Sequence, residues 1–242
     1  MAEFWQLSPN ASTYGAEIDA MFYAIAILTG AVFVLVEVLL LWFLIRYRGR
    51  EGRRAVHTHG NMRMEILWTA ATAIIVVVIG VGSRGLWLEI KSPDRFPEPG
   101  ISLDVTAKQF EWNVTYPGAD GVLGSPDDFT SRNRFNVPVG TPVHVTLRAE
   151  DVIHSFFLPE LRFKQDVVPG MEIPAWFEVT TAGEYVVGCA ELCGLGHYRM
   201  MGTMTALDAA DWEAWYTAQS VAAAQGAGTL NVAAVDNEGS VR

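Results

Sequence analysis

The twelve residues Cys189-Ala-Glu-Leu-Cys193-Gly-Leu-Gly-His197-Tyr-Arg-Met200 hold both cysteines of the chain, together with an imidazole and a thioether. Soft sulfur donors combined with imidazole select copper or zinc. A second imidazole stands upstream, in Asp151-Val-Ile-His154-Ser-Phe-Phe. Three metal sites compete for these donors. A structural zinc takes His154, Cys189, Cys193 and His197 in a tetrahedron, but leaves Met200 idle and departs from the usual CxxC or HxxxH spacing. A blue-copper site takes two His, one Cys and a weak axial Met. The order fits, with one His on an early strand and Cys, His and Met on one late loop, but a cysteine is left over. A site with two copper ions uses every donor. Two bridging thiolates then spread one charge change over two metals and two sulfurs, so that little rearranges on reduction. A Cys189–Cys193 disulfide is the non-metal rival, and closing so short a loop stabilises little.

Outward from this stretch the chain reads as short β-branched or aromatic segments separated by turns. Ile101–Ala107, Phe110–Tyr116, Arg134–Val137, Val143–Ala149, Ala175–Thr180, Tyr185–Gly188 and Thr203–Leu207 are predicted strands. Pro117-Gly118, Val139-Gly140, Pro169-Gly170 and Ala182-Gly183 mark turns. Such spacing predicts a small β-sandwich or barrel over residues 101–208. Residues 118–131, with Asp120, Asp127 and Asp128, read as an exposed excursion. Their spacing is not that of an EF-hand, and a solvated acidic loop is expected over a calcium site. Residues 209–219 form a short amphipathic helix with Trp212 and Trp215. Residues 220–242, rich in Ala, Gly and Asn, are expected to be disordered.

Upstream lie two apolar runs. Residues 20–45 are interrupted only by Glu37, and residues 66–88 only by Arg84. Each is long enough to cross a bilayer, which takes about 20 residues, and neither shows the polar stripe of a soluble helix. Between them, in the 46–65 loop, stand Arg46, Arg48, Arg50, Arg53, Arg54 and Arg63. The positive-inside rule puts that loop in the cytoplasm. Residues 1–19 and everything after the 89–100 linker then lie outside, in a bacterium on the periplasmic face of the plasma membrane. The N-terminus lacks the basic stretch of a cleavable signal. Glu37, in mid-span, is expected to face another subunit or to pack protonated.

Charge divides unevenly. Residues 1–91 carry +1 and residues 92–242 carry −11, giving −10 for a chain of 242 residues, half of them hydrophobic. An acidic domain disfavours nucleic acid and favours a basic protein partner.

With these residues assembled, the chain resembles cytochrome c oxidase subunit II. The motifs that carry the resemblance are C-A-E-L-C-G-L-G-H-Y-R-M (189–200), D-V-I-H-S-F-F-L-P (151–159), K-Q-D-V-V-P-G (164–170) and M-E-I-L-W-T (64–69). It implies a membrane-anchored all-β chain: a two-helix transmembrane hairpin followed by a cupredoxin-like Greek-key β-barrel or sandwich. It implies a dinuclear copper (CuA) centre held by His154, Cys189, Cys193, His197 and Met200, with Glu191 ligating through its backbone carbonyl. The Glu191 carboxylate would reach a magnesium ion shared with subunit I. Glu65 would feed a proton channel of subunit I.

The implied partners are subunit I, with haem a and CuB, subunit III, the lipid bilayer and a cytochrome c. The cytochrome would dock on an acidic face drawn from Glu111, Asp120, Asp127, Asp128, Glu150, Asp151 and Asp166. Electrons would pass from it to CuA and on to haem in subunit I, where an aa3-type oxidase reduces oxygen while pumping protons. Two positions depart from the family. Phe110 stands where a Trp is usual for electron uptake, which brings Trp112 and Tyr116 into consideration. Thr72 replaces a helix-2 proline and should leave that helix straight. The chain contains no CxxCH, so a fused cytochrome c is not expected. A CuA domain of another reductase and a membrane-tethered copper carrier or assembly factor are the alternatives.

Overall fold

The structure is a computed structural model, and it describes residues 7–54 and 57–225. The chain divides into two compact units, one of residues 17–88 and one of residues 1–16 with 89–242.

The smaller unit is built on α1 (Gly15–Arg46) and α2 (Met62–Lys91). Both are long and apolar enough to span a membrane. Acidic Glu17 and Glu65 sit in their first turns and basic Arg46 and Lys91 in their last, matching each helix dipole. α2 begins earlier than the apolar run because Asn61 caps it, its side-chain oxygen accepting the N–H groups of Arg63 (3.1 Å) and Met64 (3.3 Å). Glu65 therefore lies within the helix rather than in the preceding loop. α2 runs unbroken through Thr72, whose hydroxyl donates to the Trp68 carbonyl at 2.8 Å.

The larger unit is a sandwich of two five-stranded sheets. The first has the order β3-β2-β1-β5-β8, from Phe129–Arg132, Glu111–Tyr116, Ile101–Lys108, Val143–Ala149 and Ile173–Phe177. The second has the order β4-β10-β9-β6-β7, from Arg134–Pro138, Met201–Leu207, Gly183–Cys189, His154–Leu158 and Phe163–Val167. Two pairings are parallel, β1 with β5 and β4 with β10, because the chain changes sheet between them. This crossing of sheets is the Greek-key, cupredoxin-like arrangement that the sequence leads one to expect. Burial alternates along β1 and β2, which aims Leu103, Val105, Trp112, Val114 and Tyr116 at the core.

Several elements differ from the sequence expectation. The acidic excursion contains a strand, β3, whose Phe129 and Ser131 face inward. β8 starts at Ile173 rather than Ala175 and accommodates Pro174 because it is an edge strand. Val179 leaves it to bridge Ser12 and Val139. α3 runs from Ala209 to Ala224, beyond the expected end, since Val221-Ala-Ala-Ala continues a good helix former. Residues 220–224 are thus helical, and the rest of the expected disordered tail, 226–242, lies outside the described residues. α3 lays Trp215 against Tyr116 and Phe129, with ring centroids 5.3 Å and 6.0 Å away.

Candidate metal centre

β9 delivers Cys189 to a loop that returns as β10 at Met201. The two ends are tied by the Cys189 N–H donating to the Met200 carbonyl at 3.2 Å. A 3-10 turn over His197–Arg199 folds the loop's second half inward. Two glycines permit this path. Gly194 adopts φ +132°, which side chains rarely tolerate, and a Cβ on Gly196 would lie 2.3 Å from the Phe110 ring. From the neighbouring strand, β6 pairs Phe156 with Cys189, and this register brings His154 beside the loop.

The ligand-type atoms converge. The two cysteine sulfurs are 3.8 Å apart, far beyond the roughly 2.05 Å of a disulfide, and both thiols are free. His154 Nδ1 lies 3.9 Å from the Cys189 sulfur, and the Glu191 carbonyl oxygen 3.2 Å from it. His197 Nδ1 lies 3.6 Å and the Met200 sulfur 3.7 Å from the Cys193 sulfur. The ligand atoms of His154, Cys189 and Cys193 all fall within 4.8 Å of one another. His154, Cys193 and Met200 are buried, whereas Cys189 and His197 are partly exposed.

Outer contacts prepare the imidazole. His154 Nε2 meets Asp151 Oδ1 at 2.8 Å, which leaves Nδ1 to face the sulfurs. The same carboxylate accepts the backbone N–H groups of Gln109 (2.8 Å) and Val152 (2.7 Å). Burial alone would raise the Asp151 carboxyl, but the hydrogen bonds from His154 and the two N–H groups outweigh it and hold it below its usual value. Burial, with the adjacent Cys189 sulfur, pushes the Cys193 thiol up to about 11. A soft metal ion is the cation whose charge would offset that burial and suit paired sulfur donors.

The aromatic candidates separate. Phe110 is half-buried on Gly194 and Gly196 of the loop. Trp112 is fully buried, edge-on to His154 at 6.2 Å and to Phe156 at 5.0 Å. Tyr116 is buried in the α3 cluster, its hydroxyl donating to the Asn136 carbonyl at 2.7 Å. Neither Trp112 nor Tyr116 offers a surface to a docking partner. Glu65 belongs to the other unit, and the Glu191 side chain is exposed.

The acidic docking candidates are largely engaged. Glu111 pairs with Lys108 (3.1 Å) and Arg132 (3.3 Å). Asp120, Asp127 and Asp128 accept backbone N–H groups of their own loop. Asp151 orients His154, and Asp166 accepts from Ser155 and Lys164, both at 2.8 Å. Glu150 is exposed. Sequence reasoning missed Gln109, whose side-chain amide donates to the Cys193 carbonyl. It also missed the orienting role of Asp151, for which the Asp-x-x-His spacing was a usable signal.

Comparison with known proteins identifies the family of the chain. A family model for the periplasmic domain of cytochrome c oxidase subunit II matches residues 106–206, and one for its transmembrane domain matches residues 2–86. The chain is 30% identical over 237 residues to the alternative cytochrome c oxidase subunit 2 of Bradyrhizobium diazoefficiens, covering 89% of this chain and 84% of that one. It is 29% identical over 261 residues to cytochrome c oxidase subunit 2 of Thermostichus vulcanus, covering 86% and 77%. The crystal structure of the periplasmic domain of cytochrome oxidase subunit II from Bradyrhizobium japonicum aligns at 25% identity with a TM-score of 0.46, over 52% of this chain and 96% of that one. The chain belongs to the cytochrome c oxidase subunit II family and is a membrane-anchored subunit of a respiratory oxidoreductase.

Proposed function

We propose that this chain is the CuA-bearing subunit II of an aa3-type oxidase, taking electrons from a cytochrome c and delivering them to haem in subunit I. The observation that carries the reading is the convergence of four donors around a pair of cysteine sulfurs 3.8 Å apart, six donors in all. One tetrahedral zinc accepts four ligands. Here an imidazole stands beside each sulfur, and the Met200 sulfur and Glu191 carbonyl add two more donors. A copper carrier presents an exposed, exchangeable site, whereas His154, Cys193 and Met200 are buried.

The residues in named roles are these. Cys189, Cys193, His154, His197, Met200 and the Glu191 carbonyl would hold the copper pair. When bound, that pair supplies one-electron uptake and release with little change in its surroundings. Asp151 fixes the His154 tautomer, and the glycine-shaped loop keeps the donors in place before metal arrives, so that less reorganises on electron transfer. Phe110, packed on the loop and partly exposed, is the aromatic best placed for electron uptake. The Glu191 carboxylate would reach a magnesium ion at subunit I, and Glu65 would serve the mouth of a proton channel there. The arginine-rich loop between α1 and α2 lies in the cytoplasm and the sandwich in the periplasm, with residues 101–208 as the metal-bearing domain.

The test is steady-state oxygen consumption by the purified oxidase with reduced cytochrome c. Turnover should fall as ionic strength rises, since docking on an acidic domain is screened by salt. It should collapse in His197→Ala while haem content stays constant. Turnover supported by a quinol and not by cytochrome c would overturn the reading.

A further inference from the structure

Among the described residues, β7 is the outermost strand of its sheet and pairs only with β6. That pairing sets Asp166 opposite Ser155, the residue directly after His154. Ser155 is fully buried, and its hydroxyl donates to Asp166 Oδ1 at 2.8 Å. Its carbonyl accepts the N–H of Ala190, the residue directly after Cys189, at 3.0 Å. One buried serine therefore holds the neighbours of two metal-type ligands from opposite strands. Asp166 is itself held, because Lys164 Nζ donates to the same oxygen at 2.8 Å. Lys91 braces this edge strand, donating to the Lys164 carbonyl at 2.8 Å and to Gln165 Oε1 at 2.9 Å. A buried hydroxyl that loses its acceptor must find another or shift its strand.

We propose that Asp166 is a positioning residue of the metal centre, acting through Ser155 on His154 and on the Cys189–Ala190 backbone, and not a docking contact for the electron donor. The proposal rests on the CuA reading above. Its rival has a basis, since the Asp166 side chain is 49% exposed and carries a charge of the sign a basic cytochrome would meet.

The two roles separate in the assembled oxidase. Asp166→Asn keeps an acceptor for Ser155 but removes the charge. Asp166→Ala removes both, and Ser155→Ala removes the donor with little change in volume. The expected result is copper loss to a chelator about 10- to 100-fold faster in Asp166→Ala and Ser155→Ala, the span seen for outer-shell changes. Altered hyperfine splitting in the electron paramagnetic resonance spectrum should accompany it. Asp166→Asn should keep the wild-type spectrum and the wild-type KM for reduced cytochrome c. A raised KM in Asp166→Asn with an unaltered spectrum would establish docking and overturn the proposal. So would wild-type copper retention in both Asp166→Ala and Ser155→Ala. A wild-type oxidase with no dinuclear copper signal is a distinct outcome, which removes the underlying reading before any variant is compared.

Discussion

The loop from Cys189 to Met200 and the excursion from Gly118 to Asp128 both gather metal-type donors, yet their donors are arranged oppositely. In the first, the donors face one another: sulfur to sulfur at 3.8 Å, and sulfur to imidazole at 3.6 Å and 3.9 Å. In the second, the carboxylates turn to backbone N–H groups. Asp127 accepts from Ala119 (2.6 Å), Asp120 from Val122 (2.8 Å) and Asp128 from Gly124 (2.7 Å). Gly118 allows this closure, since a Cβ there would sit 2.2 Å from the Asp127 carboxyl carbon. A cluster whose charges are already satisfied builds a turn, whereas one whose donors converge on a shared point calls for an ion. Composition alone does not tell the two apart.

The contrast can be broken most sharply at the sulfurs. Cys193→Ser replaces a soft, buried donor by a hard one. Copper content and cytochrome c turnover should both fall beyond the roughly 100-fold upper range of outer-shell changes. Metal analysis and oxygen consumption read this directly, and retained copper with normal turnover would refute the ligand assignment. A smaller effect is expected one contact further out. Asp151→Ala frees the His154 ring and should weaken copper binding by about 10- to 100-fold. Asp151→Asn, which still accepts from Nε2, should recover part of that loss. Equal losses in both variants would mean that the carboxylate charge matters rather than ring orientation. The smallest effect belongs to the excursion. Asp127→Ala should lower the melting temperature slightly while leaving copper content and turnover unchanged. A rise in KM for cytochrome c would move this loop from scaffold to docking surface.

The sequence made the ligand-type residues legible because they sit close together and because their chemistry is rare. Strands with clean alternation, such as β1 and β5, were equally plain. β3 was hidden because its two inward residues, Phe129 and Ser131, follow a run of Asp and turn residues. β6 lacks alternation, with four of its five residues buried, so its period says little. The contacts of Asp151 with Gln109 and of Asp166 with Ser155 and Lys164 were hidden for a different reason. Each is an ordinary acidic residue until tertiary contacts supply Gln109, Ser155 or Lys164 as partners, and the spacing of Asp166 from Ser155 carries no local signal. Likewise the bridge of Ser12 to Val179 joins the N-terminal segment to the sandwich across a long stretch of sequence, which no local pattern announces.

A CuA centre is defined by the number of its metal ions and the way they share charge. Copper content and electron paramagnetic resonance of the full-length chain, loaded with copper in detergent, measure both at once. The expected result is two coppers per chain and a single unpaired electron whose hyperfine splitting reports both nuclei. One copper with a mononuclear spectrum, or a preference for a single zinc, would contradict it.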